Sequence, residues 1–521
     1  MSIKTCRKIG FWTALAMMVG SIVGIGIFFK SNGILKANDW NGISTLMSWV
    51  VGGILSITAA ISFSEIGSMK VGRVTSIGGW SEAISGKKLG YFGRFNYSFF
   101  YYGIWAMVMG TFCGEMVFKM LEIAGVYSKM NSSIPFYASV FLGLGFSVFF
   151  VTMNFFSTRA SGVFQITTTI LKWVPLVLVA AAGLILATQN SMPQSGTVSN
   201  GGFQGKYGHN AFSNGSLFSF TGMLAGVPAV LFAFDSFLNA ANMRNKMKNP
   251  NQVPMVILVG IISTSILYFL IALAAILHGA GNVAGENVDG SGIFDQVFSK
   301  DVARGLGVFT YIFLTISTFG VTNGIIASGT EMFAQAVETD TIFGSKTFKK
   351  KIGLKKAQLL MIMLILLFWT LIIVIPPIAL GSDALLDGVS NFPTVIFFGY
   401  YAFIIFLYLR KREKMQTKKI NNVLFQISAW TAVVGITFFI GYTILYEYFI
   451  AAIVSPKDEL SWGLMHQQVG SSPAFRWQGA IYMFVFVGMF FVLPLINKLL
   501  TKKFEDNDVY IDTFKQIKKQ G

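Results

Sequence analysis

The chain has 521 residues, 54% of them hydrophobic and 15% aromatic, and only 12% charged, about half the charged share of a soluble domain. A soluble fold of this size could not cover so much apolar surface, which excludes a cytosolic enzyme, a secreted disulfide scaffold and a disordered chain. The net charge of +17 would suggest nucleic acid in a soluble protein, so the placement of the charges matters more than their sum.

Reading from charge to charge gives uncharged windows at 9–29, 40–64, 95–114, 130–158, 173–205, 207–234, 249–285, 305–330, 357–382, 388–409, 420–445 and 477–497. Each can hold the roughly 20 apolar residues that cross a bilayer core. Twelve spans are expected. The fifth is expected to begin near Ala160, which places Lys172 inside it. The first window lacks a small-residue cleavage site and leads into further spans, so it reads as a span rather than a signal peptide.

With the N-terminus inside, the inner connections and both tails carry 30 of the 40 Lys and Arg residues. The outer connections hold Glu286, Asp289, Asp295, Asp383, Asp387, Asp458 and Glu459 instead. Orientation follows basic residues, so both termini are expected to be cytoplasmic, in the plasma membrane. The basic surplus is then a topology signal with a general attraction for lipid headgroups, and no nucleic-acid partner is expected. Residues 1–500 read as one membrane domain, and 501–521 as a cytoplasmic tail. The outer connection 189–216 is rich in Gly, Ser, Asn and Gln, and the inner segment after span two mixes Gly with amphipathic residues. Cys6 and Cys113 lie far apart and His209, His278 and His466 are scattered. Neither a disulfide framework nor a metal centre is expected, and no cofactor.

Span one contains GSIVGIGIF, with Gly20, Gly24 and Gly26 in mid-membrane. Each glycine costs roughly 1 kcal/mol against Ala in a helix. Gly20 and Gly24 have the GxxxG spacing of close helix packing. Gly26 falls outside that register and points to an unwound stretch, whose free amides would meet a carboxylate. Span six, PAVLFAFDSFLNAANMRNKMKNP, carries Pro228, read as an interruption, and Asp235 in an apolar run. An intramembrane Asp costs a few kcal/mol and is functional by default; a helix cap near the inner interface is the other reading. Spans one and six correspond in two five-span halves, at about 9–188 and 216–411, with peripheral spans at about 420–500. Because five is odd, the halves have opposite senses. Paired interruptions in inverted halves mark the midplane site of a secondary transporter.

These motifs resemble those of the amino acid–polyamine–organocation (APC) permeases. GSIVGIGIF is similar to their GxGIF-type motif. SFSEIGSM followed by SIGGW is similar to their second-span pattern, and LFAFDSF with MKNP to their sixth-span FAYDG-like stretch. The resemblance implies an all-α polytopic membrane protein with a LeuT-like 5+5 inverted repeat, discontinuous spans one and six, and two peripheral spans. It also implies that the substrate carboxylate meets the amides of Gly24, Ile25 and Gly26, while the amino group meets the carbonyls of Phe232, Ala233 and Asp235. Phe232 and Phe234 become candidates for an aromatic gate. Independently, free amides favour an anion and unwound carbonyls a cation, so a zwitterion suits both.

Lys172 is the candidate for proton coupling, since burial penalises its charged form and eases loss of the proton within a transport cycle. In some APC permeases a lysine at the matching place stands where sodium-coupled relatives hold an ion. The alternative is a lysine that pins spans one and five through carbonyls near Ser21. Tyr101, Tyr102 and Trp105 in span three are weaker candidates for lining the site, and Asn323 for an interhelical hydrogen bond. Glu65 reads as a structural contact at the inner interface. The expected function is alternating-access amino acid transport, proton-coupled and leaning to lysine or arginine because of Asp235. The alternatives are an amino acid or polyamine exchanger and, remotely, a membrane-embedded enzyme. No obligate protein partner is evident from the sequence.

Overall fold

A computed structural model of the chain describes residues 10–38, 41–69, 76–126, 134–188, 218–235, 237–238, 247–278, 294, 298–458 and 472–511. The expected connection at 189–216, Cys6, His209 and the AANMRNK stretch before Met247 lie outside them.

Among the described residues, ten helices are long and apolar enough to cross a membrane. Span two is Gly42–Ile66, span three Lys87–Ile123, span four Ile134–Phe156 and span five Thr158–Gly183. Span seven is Val253–His278, span eight Lys300–Glu338 and span nine Leu354–Leu380. Span ten is Asn391–Lys411, span eleven Asn422–Val454 and span twelve Arg476–Glu505. The two remaining windows give shorter pieces. Span one is split into Phe11–Ile22 and Ile25–Ala37, and span six is the 15-residue Phe220–Phe234. The chain is thus a multi-pass, helical membrane protein in which, among the described residues, span one is broken and the helix of span six ends at Phe234.

Several helices begin where the sequence supplies an acceptor for an unpaired backbone amide. Asn41 accepts from Ser44 N at 2.9 Å, Ser157 from Ala160 N at 3.1 Å and Ser219 from Gly222 N at 3.1 Å. The charge-free windows understate some helices because charges inside the protein are paired. Span three begins before Arg94, whose guanidinium meets Glu82 of helix Ser76–Ser85 at 2.5 Å. The second half of span one runs on through Lys30, which is 1% exposed.

The spans interlock through small residues. Spans three and four pack along Gly110, Gly114 and Gly143; a Cβ on Gly143 would lie 2.5 Å from Thr111 Cα. Ser147 seals the contact by donating to the Ala106 carbonyl at 2.8 Å. Such close approach is the main source of helix affinity in lipid. The first half of span one packs on spans five, seven and eight, and its second half on span six; spans six and seven both rest on span two. Outward-facing Phe141, Phe149, Leu367, Ile427, Val434 and Phe491 are each at least half exposed, the apolar exterior that lipid requires.

At the ends of spans two and ten, Glu65 accepts from Arg412 Nε at 2.7 Å, Arg412 Nη2 at 2.9 Å, Tyr408 at 2.8 Å and Ile420 N at 3.0 Å. This is the structural contact expected of Glu65. Span twelve continues to Glu505, and the chain beyond it turns back so that Tyr510 packs on Tyr91 with centroids 5.6 Å apart.

Candidate functional site

Span one breaks within its glycine run. The first half-helix ends at Ile22, Val23 is extended (ψ 107°) with its N–H on the Val19 carbonyl at 2.8 Å, and helix resumes at Ile25. Both sequence readings of the glycines find support. A Cβ on Gly20 would sit 2.5 Å from Thr169 Oγ1 in span five, and one on Gly24 would overlap Val321 of span eight, so these two serve close packing. A Cβ on Gly26 would stand 2.9 Å from Ala233 Cα, which brings the backbones of the two interrupted spans together.

Lys172 lies inside span five, as expected, and is buried. Its Nζ donates to the carbonyls of Gly20 at 2.6 Å and Val23 at 2.7 Å. An ammonium there meets the negative end of the half-helix Phe11–Ile22 and satisfies carbonyls that the break leaves without helical partners.

Span six stops at Asp235, not at Pro228. The helix passes through Pro228 unbroken from Phe220 to Phe234, losing one ladder donor while its neighbours hold it in place. Asp235 then turns extended (φ −60°, ψ 169°), and its N–H bonds the Phe232 carbonyl at 3.1 Å. Its side chain is buried. Tyr101 of span three donates to Oδ1 at 2.8 Å and Thr394 of span ten to Oδ2 at 2.7 Å. These hydroxyls tether the end of span six to two other spans.

One side chain joins both breaks. Tyr268 of span seven donates toward the Ile22 carbonyl at 2.7 Å and the Ala233 carbonyl at 3.1 Å. Phe232 faces Trp105, with ring centroids 5.3 Å apart, and Lys30 Nζ lies 4.4 Å above its ring while donating to Ser390 at 3.3 Å. The positive N-terminus of Ile25–Ala37 and the negative C-terminus of Phe220–Phe234 therefore meet beside Gly26 and Ala233, a dipole arrangement suited to a bound zwitterion.

The structure brings Gly24, Gly26, Phe232, Ala233, Asp235, Trp105 and Lys172 to these breaks, and the Ile25 amide opens the second half-helix. It separates the two gate candidates. Phe234 packs on Tyr268 at 5.1 Å and faces Gly53 of span two, away from Trp105. Tyr102 lies against Gly329 of span eight, with its hydroxyl 3.4 Å from that of Tyr97. Asn323 donates to Gln165 Oε1 at 2.8 Å and accepts from Asn154 at 3.0 Å, joining span eight to spans four and five. Ser21 faces Gly324 of span eight. Sequence reasoning missed Tyr268, Thr394 and Lys30. Lys30 carried a usable signal, a cation one residue beyond the first window. Tyr268 is a single tyrosine in an apolar run and carried none. Among the described residues no group of three or more His, Cys, Asp or Glu side chains could hold a metal.

Comparison with known proteins gives a consistent picture. The amino acid permease family model matches residues 9–490. The serine/threonine exchanger SteT of Bacillus subtilis is 23% identical over 449 residues, covering 84% of this chain and 91% of the exchanger. The mouse b(0,+)-type amino acid transporter 1 is 26% identical over 273 residues, 51% of this chain and 50% of the transporter. An uncharacterized Mycoplasma pneumoniae protein is 23% identical over 337 residues, 61% of this chain and 58% of that protein. The chain thus spans between half and nine-tenths of the length of these relatives.

Proposed function

This chain belongs to the amino acid permease family, whose fold is LeuT-like, and we propose that it carries amino acids across the plasma membrane by alternating access. The observation that carries this reading is the meeting of opposite half-helix ends at Gly26 and Ala233, tied together by Tyr268. The substrate carboxylate takes the amides of Gly24, Ile25 and Gly26; the amino group takes carbonyls at the end of span six. Phe232, in contact with Trp105 and Lys30, closes over the bound molecule. The two five-span halves are 9–188 and 216–411, with both termini cytoplasmic.

Coupling to protons is the finer part of the proposal. Lys172 holds the end of the first half-helix through two carbonyls. Protonated, it fastens that half-helix to span five; neutral, it loses most of its hold, so proton binding and release would accompany the movement of span one. A lean to lysine or arginine rests on Asp235, a buried carboxylate at the same break.

A second reading is obligatory exchange of small neutral amino acids. It is favoured by the two hydroxyls already on the Asp235 oxygens and by the buried cation Lys30 beside Phe232. The serine/threonine exchanger among the relatives leans the same way. Counterflow in proteoliposomes tests the function directly. Preloaded amino acid should accelerate uptake of labelled amino acid, sodium should be dispensable, and an inward proton gradient should drive accumulation. Accumulation indifferent to the gradient would favour exchange, and no trans-acceleration by any amino acid would refute the carrier reading.

A further inference from the structure

Among the described residues, two arginines are nearly fully buried and each faces a carboxylate, yet they use it differently. Arg412 presents its side edge, Nε and Nη2, to both oxygens of Glu65 at 2.7 and 2.9 Å. This is the parallel two-bond geometry that a planar guanidinium makes with a planar carboxylate. Arg94, 4% exposed, offers Glu82 only its tip, one bond from Nη1 at 2.5 Å. Its side edge remains open. Nε and Nη2 of Arg94 are both buried and have no hydrogen-bond partner. Leaving two charged donors unsatisfied costs more than an ion pair made only for stability would entail.

Arg94 lines a small cavity together with Gly78, Tyr97, Ser98, Met332 and Gln335. Three elements form its walls: helix Ser76–Ser85, the start of span three and the end of span eight. As it stands the cavity leaves about 10 Å³ for a guest, the room of one water. The wall at Gly78 is tight, because a Cβ there would lie 2.7 Å from Arg94 Cγ. Movement of helix Ser76–Ser85 away from span three would enlarge the cavity. The cavity is also one aromatic layer from the central site. Tyr97, in its lining, stacks on Tyr101 at 5.1 Å and 22°, and Tyr101 holds Asp235.

We propose that the Nε–Nη2 edge of Arg94 is a second carboxylate-binding site, which takes the substrate's carboxylate between the central site and the membrane face carrying the span two–three connection. The proposal rests on the amino acid transport reading for the identity of its ligand. The chemistry of the site requires only a planar carboxylate. While the cavity is closed, it has room for one water. When it opens, the carboxylate takes that place with two charge-assisted bonds.

The test uses purified full-length protein, with acetate as the probe, and measures thermal unfolding against matched chloride. Acetate should raise the unfolding temperature of the wild type and of Gly26→Val, in which the central site is blocked. Arg94→Lys, which keeps the ion pair to Glu82 but lacks the planar edge, should lose that shift. In oriented proteoliposomes Arg94→Lys should raise KM at the span two–three face by about tenfold or more, the scale of one lost charge-assisted pair, and leave KM at the opposite face unchanged. An acetate shift retained in Arg94→Lys, or equal KM changes at both faces, would overturn the proposal. Should Arg94→Lys fail to fold, Arg94→Gln combined with Glu82→Gln removes both buried charges and is read in the same way. Absence of amino acid transport would refute the functional reading and leave the acetate measurement to decide the Arg94 site.

Discussion

Gly26 and Ala233 stand so close that a Cβ on the first would lie 2.9 Å from the Cα of the second. Neither backbone can withdraw freely, because Tyr268 ties Ile22 and Ala233 to one hydroxyl and Lys172 ties Gly20 and Val23 to another span. Gly26→Val would force the two interrupted spans apart. Expression and membrane insertion should survive, since the crossing helices are untouched, while uptake falls to background. Uptake with an unchanged KM in this variant would show that the glycine is needed for neither approach nor binding.

Tyr268→Phe removes a single oxygen and leaves the ring against Phe234 and Trp49. The two carbonyls share its single O–H, so the loss is about 1 kcal/mol, that of one ordinary hydrogen bond. The expected result is a modest fall in thermal stability and a much larger fall in transport rate, because the link between the breaks is lost. Stability and transport falling in proportion would reduce Tyr268 to a packing residue.

Lys172→Ala leaves the Gly20 and Val23 carbonyls without their donor and should abolish the pH dependence of uptake. In the wild type, protonation restores the two bonds, so uptake is expected to rise as the outside is acidified and to follow an inward proton gradient. The variant should retain substrate binding with a flat pH profile. A pH profile that survives Lys172→Ala would take the proton role away from this residue.

Asp235→Asn removes the charge but keeps a side chain whose amide can accept from one of the Tyr101 and Thr394 hydroxyls and donate to the other. Folding should be preserved. If the site leans to cationic substrates, uptake of lysine and arginine should fall about tenfold further than that of any neutral amino acid, the scale of one lost charge-assisted contact. Equal losses would support the neutral-exchange reading.

Glu65→Gln breaks the buried bidentate pair with Arg412 and removes the carboxylate that faces its guanidinium. The loss expected for breaking such a pair is about 3–5 kcal/mol, read as a large drop in unfolding temperature. Substrate affinity of the protein that still folds should be unchanged. A variant with wild-type stability would mean that water replaces the carboxylate at this end of spans two and ten.

The sequence made the span count and the two interruptions legible because charge-free windows and mid-membrane glycines are local features. Lys172 could be placed inside span five for the same reason: the apolar run beyond it is too long to leave the residue at an interface. The exact stop of span six was not legible. Pro228 looks like a helix breaker in isolation, but a helix held on several sides tolerates one missing donor, and the chain turns instead where Asp235 finds two hydroxyls on other spans. Tyr268, Thr394 and the open edge of Arg94 were illegible for a related reason. Each acts through a partner distant in sequence, and nothing in a neighbouring residue marks the direction in which a tyrosine hydroxyl or a guanidinium edge points.

If the break in span one recognises a carboxylate, the protein discriminates between matched ligands with and without one. Each amino acid that the reconstituted protein transports would be compared in counterflow with its decarboxylated amine, as arginine with agmatine. The amino acid should exchange, and its amine should neither exchange nor compete at about tenfold higher concentration. An amine that exchanges as well as its parent amino acid would contradict that recognition, leaving the amides of Gly24, Ile25 and Gly26 without a ligand.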